Sequence, residues 1–272
     1  IEMVFGKLQT GSIEEPAISK ESVHHYSKLV SGKQLIRPVW YYDVNQQGEG
    51  IVDVTTHLVD MIQWACFPDQ IVNYTTDIEI LEAKRWPTLI TPEQFEKSTG
   101  NKGFPDFLQK DIRENVLNVF ANGSFIYKIK GVFAKVSVIW NFEAPPGTGD
   151  THYSIMRGSN SNLLIKQGPE EDYKPTLYVE AVQGKNIEFE LEKAIYEDLQ
   201  KEYPGLELEK IKDGYWKVNI PDKYKIGHEE HFGQVTEKYL KYLVDGKLPD
   251  WEVPNMIAKY YTTTQALIKA KE

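Results

Sequence analysis

The chain has 272 residues, 41% of them hydrophobic and 12% aromatic, enough to bury a full core as one large domain or two small ones and too apolar for a disordered protein. Its formal charge of -9 offers no broad basic surface, which argues against nucleic acid and anionic membranes as partners. The single cysteine, Cys66, excludes an internal disulfide and a multi-thiolate zinc site and leaves the compartment, cytoplasmic or periplasmic, open.

The opening "IEMVFGKLQTGS" reads as a strand ending at Gly11 and Ser12. A chain that begins on Ile1 with a strand, and with no basic-then-apolar leader, is expected to continue a longer protein. No apolar run approaches the roughly 20 residues that span a bilayer, so a soluble protein is expected. "SVHHYSKLV" reads as a second strand, with His24 and His25 on opposite faces and unable to offer both rings to one ion. "RPVWYYDVNQQGEG" carries an aromatic cluster, Trp40 included, into a Gln/Gly turn. A helix is expected over residues 51–67, stopped by Pro68.

Two stripes run along that helix. At roughly 100° per residue, Asp53, His57, Asp60 and Trp64 share one narrow sector, and Val54, Leu58, Met61 and Ala65 form an apolar stripe expected to pack on a sheet. The neighbours of the first stripe, Thr55, Thr56, Val59 and Gln63, are not the Lys, Arg and Glu that dress a solvated helix, so partial cover is expected. Gly48 and Gly50, just before it, let another body come close.

Beyond the helix, "IVNYTTDIEILEA" is rich in β-branched residues and reads as a strand. "TPEQFEKSTG" is a short helix with Thr91 as N-cap, Pro92 at the first position and Gln94 completing a capping box. In "NVLNVFANGSFIYKIKGVFAKVSVIWNF", Asn122-Gly123 is the expected hairpin turn and Gly131 marks a third strand. A hairpin around residues 158–162, a strand at "TLYVEAV", a helix at "NIEFELEKAIYEDLQKEY" ending before Pro204-Gly205, and a hairpin at Asp213-Gly214 follow. Helices around residues 229–244 and 254–270 close the chain. Many strands joined by tight turns predict one α+β domain, residues 1–272, with a large, mostly antiparallel sheet.

Neither Gly48-Glu49-Gly50 nor Gly147-Thr148-Gly149 has the third glycine or the strand context of a dinucleotide turn, so no cofactor-binding residue is assigned in this chain. "HEEHF" spaces its histidines three apart rather than four and lacks a third ligand, so no metal site is assigned. His152, where a glycine-rich loop enters a strand, can reach a cleft. Asp53 and His57 lie one turn apart, where the carboxylate can orient an imidazole for proton transfer.

The glycine turn with Asp53, His57 and Asp60 in "GEGIVDVTTHLVD" resembles the signature of the second domain of the Gfo/Idh/MocA oxidoreductases. With "SVHHYSKLVSGK" and "GTGDTHYSIMRGS", most of the chain resembles the oxidoreductase C-terminal domain group. Glu49 departs from the usual middle glycine. The resemblance implies an open sheet with helices on one face, the other face building a homo-oligomer. It also implies an N-terminal Rossmann domain, absent from this chain, that binds NAD or NADP and supplies a lysine. His57 would then be the general acid or base and Asp53 its partner, with Asp60, Trp40 and His152 as candidate contacts to a carbohydrate-like substrate. Redox-assisted glycoside cleavage and a non-catalytic carbohydrate-binding scaffold are the alternatives.

Overall fold

The computed structural model describes residues 2–30, 32–225 and 227–272; the side chains of Glu2 and His228, the latter opening "HEEHF", also lie outside the described set. Helix α1 (Glu2–Phe5) leads into β1 (Ile18–Ser27), a small ribbon of β2 (Leu29–Val30) and β3 (Lys33–Gln34), a 3₁₀ turn at Val39–Tyr42, α2 (Val44–Gln47) and α3 (Val54–Cys66). Then come β4 (Ile78–Ile90), α4 (Pro92–Thr99), β5 (Ile112–Arg113), β6 (Val116–Ile129), β7 (Val132–Glu143), β8 (Thr151–Arg157), β9 (Ser161–Gln167) and β10 (Thr176–Ala181). Helices α5 (Glu188–Lys193) and α6 (Gln200–Glu202), strands β11 (Glu207–Lys212) and β12 (Tyr215–Asn219), and helices α7 (His228–Asp245) and α8 (Glu252–Ala270) complete the fold.

The main sheet runs β11-β12-β10-β9-β8-β1-β7-β6-β4, with β5 on β6. Among the described residues, β1 with β7 is its parallel pair, Ile18 opposite Ala134, and the other pairs are antiparallel. Because β1 is inserted between β7 and β8, residues 144–150 must step past its end; Ala144 N donates to Ser27 O at 3.0 Å there. That step positions the site described below.

Side chains alternate across the strands, and one face carries the apolar sets. Phe125, Tyr127, Ile129, Ala134 and Val136 pack under α3 and α8, while Val179, Trp216 and Val218 pack under α5. Each large side chain buried here stabilises by roughly 1.5–3 kcal/mol. Between these patches the same face turns polar along β1 and β8. Lys20 Nζ donates to Ser154 Oγ at 2.8 Å, and Ser22 Oγ lies 3.1 Å from His152 Nδ1. Burial lowers the Lys20 ammonium against the opposing pull of the Cys66 thiol, itself pushed up to about 11 by burial.

Several sequence expectations are corrected. The first residues form α1, not a strand: Val4 is buried with Leu191 and Trp216, and its carbonyl accepts from Ser161 Oγ. Strand β4 begins at Ile78, after a turn held by Asn73 and Asp77. Asn122-Gly123 lies inside β6, and the turn falls at Lys130-Gly131, both in the left-handed region. The Asn122 amide is engaged across the sheet, donating to Trp86 O and Thr88 Oγ1 and accepting from Trp140 N, where β4 carries a bulge. Gly123 is small because Ile51 sits on it; a Cβ there would lie 2.5 Å from the Ile51 Cβ.

The expected α4 capping box is present, with Thr91 and Gln94 bonded reciprocally. Helix α3 is one turn shorter than its pattern and rotated. It buries Thr55, Leu58, Val59, Ile62 and Gln63, whereas Met61 and Ala65 are exposed. The reason is a second contact, since α3 packs on α8 as well as on β7 and β1, and its buried sector faces both. Helix α7 has no side chain buried among those described.

Candidate functional site

The turn before α3 is set by backbone proximity. Gly50 N donates to Phe120 O at 3.1 Å, and a Cβ on Gly50 would meet Ala121 O at 1.7 Å, so the glycine serves close packing on β6. The turn delivers Asp53 as N-cap of α3, its carboxylate directed to Gln47, whose Nε2 donates to it at 3.1 Å. Asp53, Tyr26, Tyr41, Gly48, Ala121 and Trp140 line a small cleft of about 10 Å³, room for about one water. The 3₁₀ turn at Val39–Tyr42 supplies its aromatic wall, anchored by buried Tyr42, whose hydroxyl meets Ser98 Oγ at 2.5 Å.

One turn along α3, His57 is exposed, and no hydrogen bond joins it to Asp53 among the described residues. Asp60 pairs with Lys259 Nζ at 3.1 Å, and Trp64 is 71% exposed. The stripe is therefore open in this chain rather than partly covered, although Thr55, Val59 and Gln63 beside it are buried. Its lower end borders a groove of about 580 Å³ between α3, α7 and α8, walled by Trp64, Tyr239, Trp251 and Met256.

A second polar centre lies across Trp140 and was not expected from the sequence. Asp150 enters beside the end of β1 from the segment that steps past it. His24 Nδ1 is 3.3 Å and His25 Nδ1 3.1 Å from its two oxygens, and Lys28 Nζ also donates to it. Burial pushes this carboxyl up, but the bonds from His24, Lys28 and His25 outweigh it and hold it well below the usual carboxylate range. The two histidines do leave the strand on opposite faces, yet both rings lean to one carboxylate because Asp150 sits at the open edge of the strand end. The signal available in the sequence was a lone aspartate next to a glycine loop, which by itself says nothing.

Trp140 joins the two centres. It stacks on His24 with centroids 4.9 Å apart and meets Tyr41 edge-on at 6.0 Å. Burial raises the Tyr41 phenol, opposed by Arg37 and reinforced by Asp53 and Asp150. Trp40 is 45% exposed beside Tyr41 at the rim. His152 is placed on the Asp150 side, where burial, Lys20 and His24 lower it to about 4, so the ring is neutral near pH 7. Asp53 thus lines the cleft with Tyr41, Trp40 adjoins Tyr41 at the rim, His152 lies apart against Ser22, and Asp60 stays on the exposed side of α3 with its lysine. Trp140 is buried against His24 and Tyr26, so the aromatic surface open to a ligand ring is Trp40 and Tyr41 at the rim, with the Asp53 carboxylate opening onto the cleft beside them.

No described helix is long and apolar enough to cross a membrane, and no cluster of three or more metal-ligating side chains occurs among the described residues. No curated protein sequence matches the chain significantly. A crystal structure of a "putative oxidoreductase" from Parabacteroides merdae is 60% identical, with a TM-score of 0.96 over 100% of this chain and 62% of that one. Levoglucosan dehydrogenase in complex with NADH and levoglucosan shares the fold, at 11% identity and a TM-score of 0.53, over 99% of this chain and 58% of that one. A "putative oxidoreductase" from Erwinia carotovora shares it too, with 10% identity and a TM-score of 0.52 over 98% and 56% of the two chains. The chain therefore spans about 60% of the length of these relatives. The family model described as "Putative oxidoreductase C terminal domain" matches residues 1–271, and with the sheet, the helix-covered face and the 60% identical relative in agreement, the chain belongs to that family.

Proposed function

We propose that residues 1–272 form the substrate-binding and subunit-association domain of an NAD(P)-dependent oxidoreductase acting on a carbohydrate-like substrate. The observation that carries this reading is the juxtaposition on α3 of an exposed His57 with Asp53, whose carboxylate opens onto the cleft floored by Tyr41 and Trp140. Levoglucosan dehydrogenase, which shares the fold, binds NADH and a sugar derivative, and this supports both the cofactor and the substrate class.

The described residues hold no glycine-rich strand-to-helix turn that could cradle a pyrophosphate, so the cofactor belongs to a further part of a longer chain, seated against the open stripe of α3. When bound, nicotinamide supplies the hydride acceptor or donor. The chain's own residues do the rest. The sugar ring lies over Trp40 and Tyr41 at the mouth of the cleft, with a hydroxyl toward Asp53. In the oxidative direction, the hydroxyl proton of the reacting carbon passes to His57 as the carbon's hydride leaves. To orient the imidazole, Asp53 would have to leave Gln47, which donates to it at 3.1 Å.

The test is turnover of sugars and polyols with NAD and NADP by the full-length protein and its His57→Ala variant. The variant should lose about 10²- to 10⁴-fold in kcat. A loss confined to KM would make the stripe a binding surface only, no turnover by the unsubstituted protein would favour a non-catalytic carbohydrate-binding module, and release of an aglycone from glycosides would identify redox-assisted cleavage instead of simple dehydrogenation.

A further inference from the structure

Arg37 is a half-buried cation with no acidic partner among the described residues. Its Nε donates to Tyr26 O at 3.3 Å and its Nη2 to His25 O at 3.1 Å, both backbone carbonyls at the end of β1. The guanidinium lies 4.5 Å from the centre of the Tyr41 ring and 5.5 Å from that of Trp140. It is thus clamped in orientation by two carbonyls and two rings, while its Nη1 has no acceptor among the described residues.

The two nearby carboxylates do not neutralise it. Asp53 is held by Gln47, and Asp150 is held by His24, His25 and Lys28. A partly desolvated charge left without a counter-ion is costly, and a guanidinium fixed by its neighbours with donors to spare is suited to a planar oxyanion. The rings beneath Arg37 are the rings that floor the Asp53 cleft. An anion on Arg37 would therefore be carried by a molecule lying beside Tyr41 at the mouth of that cleft.

We propose that Arg37 determines specificity by receiving an oxyanion, a carboxylate or a phosphate ester, borne by the sugar-like substrate. This rests on the reading of the cleft as a sugar site, and it goes further in making the substrate an acidic sugar rather than a neutral polyol. The spare Nη1 donor, with Nη2 beside it, would grip the anionic group at the end of the ring away from Asp53. Asp150 would keep Lys28 and both histidines out of competition for it.

The test is calorimetric binding, without cofactor, to the full-length protein of glucose, galactose and mannose, of the corresponding uronates, and of the corresponding 6-phosphates. At least one anionic sugar should bind about 10- to 100-fold more tightly than its neutral parent, the worth of a charged hydrogen bond. Arg37→Met should bring that ratio close to one by weakening the anionic sugar alone, and Arg37→Lys should restore part of it. The uronate and phosphate arms identify which oxyanion is meant. Equal binding of neutral and anionic sugars, binding of none, or an Arg37→Met variant that weakens both kinds alike would overturn the proposal. If anionic sugars bind through Arg37 while the full-length protein turns none of them over with NAD or NADP, Arg37 keeps its role and the oxidoreductase reading falls by itself.

Discussion

Arg85 on β4 donates to Glu49 at 2.8 Å, tying the turn that begins α3 to the edge of the sheet. Glu49 is 8% exposed and receives Lys271, next to the end of α8, at 3.0 Å on its other oxygen. Glu49 is thus an anchor for the backbone delivering Asp53. Arg85→Met should cost about 1–3 kcal/mol, because it leaves a buried carboxylate with one exposed partner. Lys271→Met, at a half-exposed lysine, should cost less than about 1 kcal/mol. Urea denaturation of both variants measures the difference, and equal losses would show that the anchor is not Arg85.

Gly50→Ala should be among the most damaging small changes in the chain. Its Cβ would lie 1.7 Å from the Ala121 carbonyl oxygen, so either β6 or the turn must move. A loss above about 3 kcal/mol is expected, since neither backbone can yield cheaply. Gly48→Ala meets nothing closer than 3.8 Å, and its cost comes from φ +95° alone. Thermal unfolding of the pair separates steric from conformational strain, and a well-tolerated Gly50→Ala would contradict the contact.

His152 makes stability depend on acidity. It titrates near 6.5 in the unfolded chain and at about 4 in the fold, where burial, Lys20 and His24 keep it neutral. Between those values the unfolded chain binds a proton that the folded chain refuses. Stability should therefore rise with pH from about 4 to about 6.5 and be complete above that. His152→Gln should flatten this rise by on the order of 1–2 kcal/mol, a figure reduced for the ring's partial exposure. Denaturation midpoints at pH 4.5 and 7.5 decide it, an unchanged slope being the contrary result.

Gln47 holds Asp53 while the cleft is open, so it tests whether Asp53 is held for binding or freed for chemistry. In the full-length protein Asp53→Asn should lower kcat by roughly 10²-fold or more. Gln47→Leu, which removes only the 3.1 Å bond to that carboxylate, should lower it by less than about tenfold. Equal losses in the two variants would mean that Asp53 acts through Gln47 rather than through His57.

Where local patterning and tertiary contact agreed, the sequence was legible. Thr91, Pro92 and Gln94 start α4 by bonds within four residues, and Asp213-Gly214 joins β11 to β12 as its dipeptide suggests. Asn122-Gly123 shows the opposite case. The same dipeptide carries turn propensity, but the Asn122 amide finds three partners on neighbouring strands and Gly123 makes room for Ile51. The Lys130-Gly131 turn was hidden because one of its two left-handed residues is a lysine.

That Asp53 and His57 stand one turn apart at the start of α3 was readable because their spacing along the chain fixes it. Spacing along a helix also determined that α3 is amphipathic, and alternation with tight turns determined a large, mostly antiparallel sheet, because these are properties of neighbouring residues. The tertiary structure alone decided which sector of α3 is buried, because that depends on α8 arriving from nearly 200 residues away, with Lys259 reaching Asp60. It alone also gathered Asp150, His24, His25, Lys28 and Arg37 around Trp140. Asp150 and His24 are 126 positions apart, and only the insertion of β1 between β7 and β8 brings that aspartate to the end of the first strand.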